Sequence, residues 1–156
     1  MDFAGGTVVH ISAGFAALAA AIIVGPRSKG AGTLAPHNIP FVLLGTGLLW
    51  FGWFGFNGGS NLAADGVGTA AFVNTQIAAS SAFLTWIVLD AVLFKGRSAA
   101  VGGATGAIVG LVAITPGSGF VRPWAAIPYG VIGTHSLNFL FFLSSCSCSS
   151  CVYFVH

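Results

Sequence analysis

IPFVLLGTGLLWFGWFGFNGGS, residues 39–60, runs from a proline-marked start to a glycine-serine end without one charged side chain. A helix needs about 20 apolar residues to cross a hydrocarbon core about 30 Å thick, so this stretch reads as a transmembrane span. Asn38 is suited to cap it and Pro40 is tolerated in a first turn, so the helix is expected to start near Ile39. Working outward, apolar runs of the same kind recur at about 4–25, 68–94, 99–115 and 123–143. Turn-forming segments separate them: GPRSKGAGTLAPHNIP, NLAADGVG, KGRS and TPGSGFVRP. The expected fold class is therefore all-α, a polytopic transmembrane helical bundle of about five spans.

Composition agrees. Of 156 residues, 56% are hydrophobic and 5% charged, with a mean hydropathy of +0.93, far from the roughly 25% charged content of soluble domains. The charged side chains are Asp2, Arg27, Lys29, Asp65, Asp90, Lys95, Arg97 and Arg122, nearly all between apolar runs. A net charge of +2, so dispersed, argues against a nucleic-acid partner. The opening MDFAGGTVVH has no basic region and no cleavage site, so the first run reads as mature sequence. Arg27 with Lys29, and Lys95 with Arg97, fall on one side if five helices alternate, so loops 26–38 and 95–98 are expected to be cytoplasmic and the N-terminus outside.

Gly102, Gly106 and Gly110 recur every fourth residue, a spacing that lets membrane helices approach closely. The stripe suits either a subunit interface or packing within one bundle, and the latter is the expectation.

His10 lies about 12 Å along the first helix from Asp2. An ionisable group at that depth is costly, and a pore or relay role and a neutral, locally satisfied imidazole are equally compatible with its spacing. Asp2, at the helix start, suits capping of the first-turn N–H groups, or a field that draws cations. Trp50, Phe51, Trp53, Phe54 and Phe56 read as interfacial anchors or as ring faces for a small cation, with Ser60 adding a hydroxyl acceptor. His37, His135 and His156 receive no role. Cys146, Cys148 and Cys151 sit in a serine-rich tail and give neither a disulfide framework nor a metal site. With no nucleotide fingerprint and no nucleophile beside a base, the sequence implies no cofactor and no enzyme.

Three stretches together resemble the ammonium transporter family, which includes the Rhesus-type proteins: DFAGGTVVHISAG at 2–14, PHNIPFVLLGTGLLWFGWFGFNGGS at 36–60, and AFVNT at 71–75 with GAIVGLVAITPGSG at 106–119. The resemblance implies a homotrimer of eleven-helix subunits in a cell membrane, each with a narrow hydrophobic pore, this chain matching roughly the fifth to ninth helices. It implies ammonium or ammonia as substrate, with methylammonium as an analogue. By position, His10 matches the first of two pore histidines, Trp53 a pore-lining tryptophan and Phe56 one of the phenylalanines closing the outer mouth. Ser60 matches the serine of the outer recruitment site, and Asp2 the acid beneath it.

The chain departs from the family pattern as well. The second pore histidine has no match, since His135 in IGTHSLNF lies in a different setting. Residues 1–133 are expected to form a partial transporter domain, and 134–156 a divergent Phe/Ser/Cys-rich tail of read-through origin. A sensor of the same family, or a non-transporting truncated product, are the alternative functions.

Overall fold

A computed structural model describes residues 1–25, 36–93 and 100–147, with residues 141–147 as backbone only. Five helices follow in order: α1 Gly6–Val24, α2 Ile39–Gly59, α3 Gly66–Leu93, α4 Ala100–Ile114 and α5 Pro123–Ser147. They coincide with the five predicted runs, and no strand occurs among the described residues. By length and composition α1, α2 and α3 are each able to cross a membrane. α4 is apolar but has 15 residues, about 22 Å of helix. Arg27, Lys29, Lys95 and Arg97, which carry the orientation argument, lie outside the described residues, as do Cys148, Cys151 and His156.

The helix starts follow from local chemistry. Asn38 Oδ1 accepts the Phe41 N–H at 3.1 Å and Pro40 lies in the first turn of α2, as expected. Asp65 opens α3, accepting the N–H groups of Val67 at 2.9 Å and Gly68 at 3.0 Å. α1 follows Gly5, whose φ of 70° suits glycine, and is capped from further back by Asp2.

α3 is the centre of the bundle. Its buried residues, Ala71, Asn74, Thr75, Ala78, Ala79, Ala82, Trp86 and Asp90, recur at helical spacing along one side. α4 runs antiparallel against it through the glycine stripe. A β-carbon on Gly102 would lie 2.6 Å from Trp86 Nε1, one on Gly106 2.7 Å from Trp86 Cβ, and one on Gly110 2.7 Å from Ala82 Cβ. The stripe thus packs inside one chain, as expected, and glycine is required because the helices touch backbone to backbone. α5 runs parallel to α3 on another side and buries Ala126, Gly130 and Thr134 at intervals of four. The Thr134 hydroxyl donates to the Ala82 carbonyl at 3.2 Å. The turn from Ala78 to Ala82 therefore has glycine against it from both α4 and α5. Asp90, a charged residue inside α3, is 1% exposed.

α2 lies antiparallel to α3, held by the stacked rings of Phe54 and Phe72 at 4.2 Å and by Asn57 Nδ2 donating to Thr75 Oγ1 at 2.9 Å. The α4–α5 turn ties the remaining ends together. Asn74 Nδ2 donates to the carbonyls of Ser118 at 2.7 Å and Val121 at 2.8 Å. The Phe3 N–H donates to the Pro116 carbonyl at 2.9 Å, and the Phe3 ring meets Phe120 edge-on at 5.3 Å.

Candidate functional site

Trp53 and Phe56 are three residues apart and so share a face of α2. That face is turned to α1, where His10 completes a cluster of three rings. His10 stacks on Trp53 with centroids 5.5 Å apart and planes at 24°. Phe56 stands edge-on to both, 6.3 Å from His10 and 5.7 Å from Trp53, each at 79°. The rings of His10, Trp53 and Phe56 are thus brought together from two successive helices.

His10 Nε2 is buried and has no hydrogen-bond partner among the described residues. Such groups are rare in native proteins, because an unsatisfied buried donor or acceptor costs about 1–3 kcal/mol. A ring able both to donate and to accept, stacked on Trp53 with Phe56 edge-on beside it, has the chemistry to exchange hydrogen bonds with a small polar molecule.

Ser60 and Asp2 stand at the same end of the bundle but outside the ring cluster. The Ser60 hydroxyl donates to the Phe56 carbonyl at 2.6 Å, which commits its proton and leaves the oxygen as an acceptor. Asp2 accepts the N–H groups of Thr7 at 3.2 Å and Val8 at 3.3 Å, so the capping expectation holds. Trp50 Nε1 donates to Gln76 Oε1 at 3.1 Å, binding α2 to α3 rather than joining the cluster. His37 and His135 are exposed. A shallow cavity of about 420 Å³ opens between Phe54, Asp65 and Phe72, and none of the five predicted site residues lines it.

Sequence reasoning missed Thr115, read there only as part of a turn. Its hydroxyl accepts the Trp53 indole N–H at 2.8 Å across 62 positions of sequence. It also missed Asn57, Asn74 and Thr75, polar side chains with 0% exposure in otherwise apolar helices. The rarity of amides in otherwise apolar spans was the available signal for the two asparagines; nothing local marks Thr115.

Apolar helices long enough to cross a membrane, with a histidine set among aromatic rings between two of them, define a multi-pass helical membrane protein. The sequence model of the Ammonium Transporter Family matches residues 1–144, and the chain belongs to that family. It is 55% identical over 134 residues to ammonium transporter 1 of Schizosaccharomyces pombe, covering 85% of this chain and 27% of that protein. With the ammonium transporter of Bacillus subtilis it shares 50% over 133 residues, 85% of this chain and 32% of that one. Among solved structures, Mep2 of Candida albicans superposes with a TM-score of 0.82 at 40% identity, over 89% of this chain and 32% of Mep2. A structure titled Sensor Amt Protein superposes with a TM-score of 0.84 at 38% identity, over 94% of this chain and 38% of that one. The chain thus spans about a third of the length of the proteins it matches.

Proposed function

We propose that this chain supplies one wall of a path for ammonium across a cell membrane, with His10 at its polar point. The observation that carries the reading is the buried Nε2 of His10, without a hydrogen-bond partner among the described residues, in a ring stacked on Trp53. Relatives named as ammonium transporters at 50–55% identity support the substrate.

The path has a physical logic. An ammonium ion entering hydrocarbon with its charge meets a desolvation cost that neutral ammonia does not. The Ser60 oxygen, whose proton is already committed, accepts from the arriving cation, and the negative field of Asp2 at the α1 start favours its approach. The faces of Phe56 and Trp53 stabilise the cation during dehydration and narrow the passage against water. His10 then offers a donor and an acceptor between two apolar helices. In this reading the N-terminus faces outward, the loops at 26–38 and 95–98 lie in the cytoplasm, and the working assembly is a homotrimer.

Transport is tested in a chimera in which residues 1–133 replace the matching segment of the Bacillus subtilis relative, expressed in cells without ammonium uptake of their own. The chimera is expected to restore growth on scarce ammonium. His10→Ala is expected to lower ammonium conduction by about tenfold or more at equal membrane abundance, since it removes the polar ring of the cluster. Conduction unchanged by His10→Ala sinks the assignment.

A sensing role is the second reading, favoured by the superposition on the protein titled a sensor. It predicts a chimera that binds ammonium yet carries none when inserted normally.

A further inference from the structure

Thr115 touches both helices that build the ring cluster, and each part of its side chain has a separate contact. It has 0% exposure and follows directly on the last residue of α4. Its oxygen accepts the Trp53 indole N–H at 2.8 Å, and its hydroxyl donates to the Leu111 carbonyl at 2.6 Å. The direction of this relay is fixed, because an indole N–H only donates and the single hydroxyl proton is already given to Leu111. On the other side, a β-carbon on Gly6 would lie 2.5 Å from Thr115 Cγ2 and 2.7 Å from Cβ, so α1 rests on the threonine methyl group at its first residue.

Two consequences follow for Trp53. Its ring cannot turn about χ2 without breaking the bond to Thr115, and that orientation holds its plane within 24° of His10. Its N–H, the only polar group on the ring, is also withdrawn from whatever passes His10. We infer that Thr115 is a positioning residue: it orients the Trp53 ring against His10 and removes the indole N–H from the path, leaving an aromatic face to discriminate between small cations and amines. The inference deepens the proposed function and rests on that reading.

The hydroxyl and the methyl group are separable. Thr115→Val keeps the shape and deletes the relay, whereas Thr115→Ser keeps the relay and deletes the methyl contact. The first readout uses the full chain, labelled with nitrogen-15 at the indoles, in detergent micelles; Trp53→Phe assigns one of the four tryptophan signals. Thr115→Val is expected to move the Trp53 indole signal and speed its exchange with D2O by about fivefold, the weight of one buried hydrogen bond, while Thr115→Ser leaves both in place. The second readout uses the chimera. Thr115→Val should change the ratio of ammonium to methylammonium KM by about fivefold with maximal rate held within about twofold. Thr115→Ser should keep the original ratio.

An unmoved Trp53 signal in Thr115→Val overturns the inference, as does a KM ratio identical in all three proteins or shifted equally by valine and serine. If the unmodified chimera carries no ammonium, the proposed function falls instead, and the indole signal alone decides the Thr115 contact.

Discussion

α1 and α3 are both long apolar helices, yet α1 buries Gly6 alone while α3 buries a continuous side from Ala71 to Asp90. The difference lies in what stands opposite each helix within this chain, since Ala13, Ala16, Ala17, Ala19, Ala20 and Ala21 of α1 are exposed as well. α1 presents Ile11, Phe15, Leu18 and Ile22, all exposed within this chain, whereas α3 presents alanines to the glycines of α4 and α5. In a bilayer, large apolar side chains gain little by leaving lipid for protein, and close contact between small residues is what holds helices together. α1 is instead secured at its first turn and by the ring of His10.

The comparison is broken most severely at Gly110. A β-carbon there already meets the backbone oxygen of Ala78 and the Ala82 side chain, neither of which can yield. Gly110→Leu is expected to cost about 3 kcal/mol or more, against about 0.5 kcal/mol or less for Leu18→Ala on the exposed side of α1. Thermal unfolding of the full chain in detergent, followed by circular dichroism, measures both. Equal losses would show that the two helices are held by the same forces.

A smaller effect is expected at Asn74, which sharpens the comparison by loosening the turn that α1 leans on. Asn74→Ala removes two buried bonds, to Ser118 and Val121, at a cost of about 2–3 kcal/mol. The same turn holds Thr115 and accepts the Phe3 N–H, so the Trp53 indole signal should broaden in this variant while Trp86 stays sharp in the α3–α4 contact. A uniform change across all tryptophans would mean general unfolding instead.

These two sites mark what the sequence made legible and what it did not. Helix positions could be read because apolar length and turn residues are local: the expected starts at 39, 99 and 123 lie within one residue of Ile39, Ala100 and Pro123. The Gly102, Gly106 and Gly110 stripe was also legible, since its period is visible in one helix. His10, Trp53 and Phe56 were singled out from membrane depth and aromatic spacing, and more firmly from family resemblance, and the structure brings their rings together. The hub at residues 115–121 was not legible. Threonine is ordinary at a helix end, and its bond to Trp53 is a property of three helices meeting, which no window of sequence contains.

Asp2 tests how α1 is held. Asp2→Ala removes the acceptor for Thr7 and Val8, worth about 1 kcal/mol as a cap. Exchange of those two amides with D2O should quicken, with the Ala78 and Ala82 amides unaffected. If the α3 amides quicken equally, α1 and the α3 core open as one unit and the contrast between them fails.

The smallest effect is expected at Asp65, the counterpart cap on α3. The Gly68 N–H chiefly holds its carboxyl below the usual 3.8, against the opposing effect of burial, and the Val67 N–H and the Asn61 side chain lower it further. A folded value below the unfolded one means that the ionised form stabilises α3. That contribution is complete above pH 3.8 and disappears as the pH falls from there through the folded value. Because the group is exposed, the effect is slight and screened by salt. Asp65→Asn keeps a capping oxygen but cannot titrate, so the gap between the two melting temperatures should narrow on acidification below pH 3.8 and stay constant above it. A constant gap throughout would mean that the Asp65 charge contributes nothing to α3, and that the backbone contacts of its alanine side suffice to hold this end of the bundle.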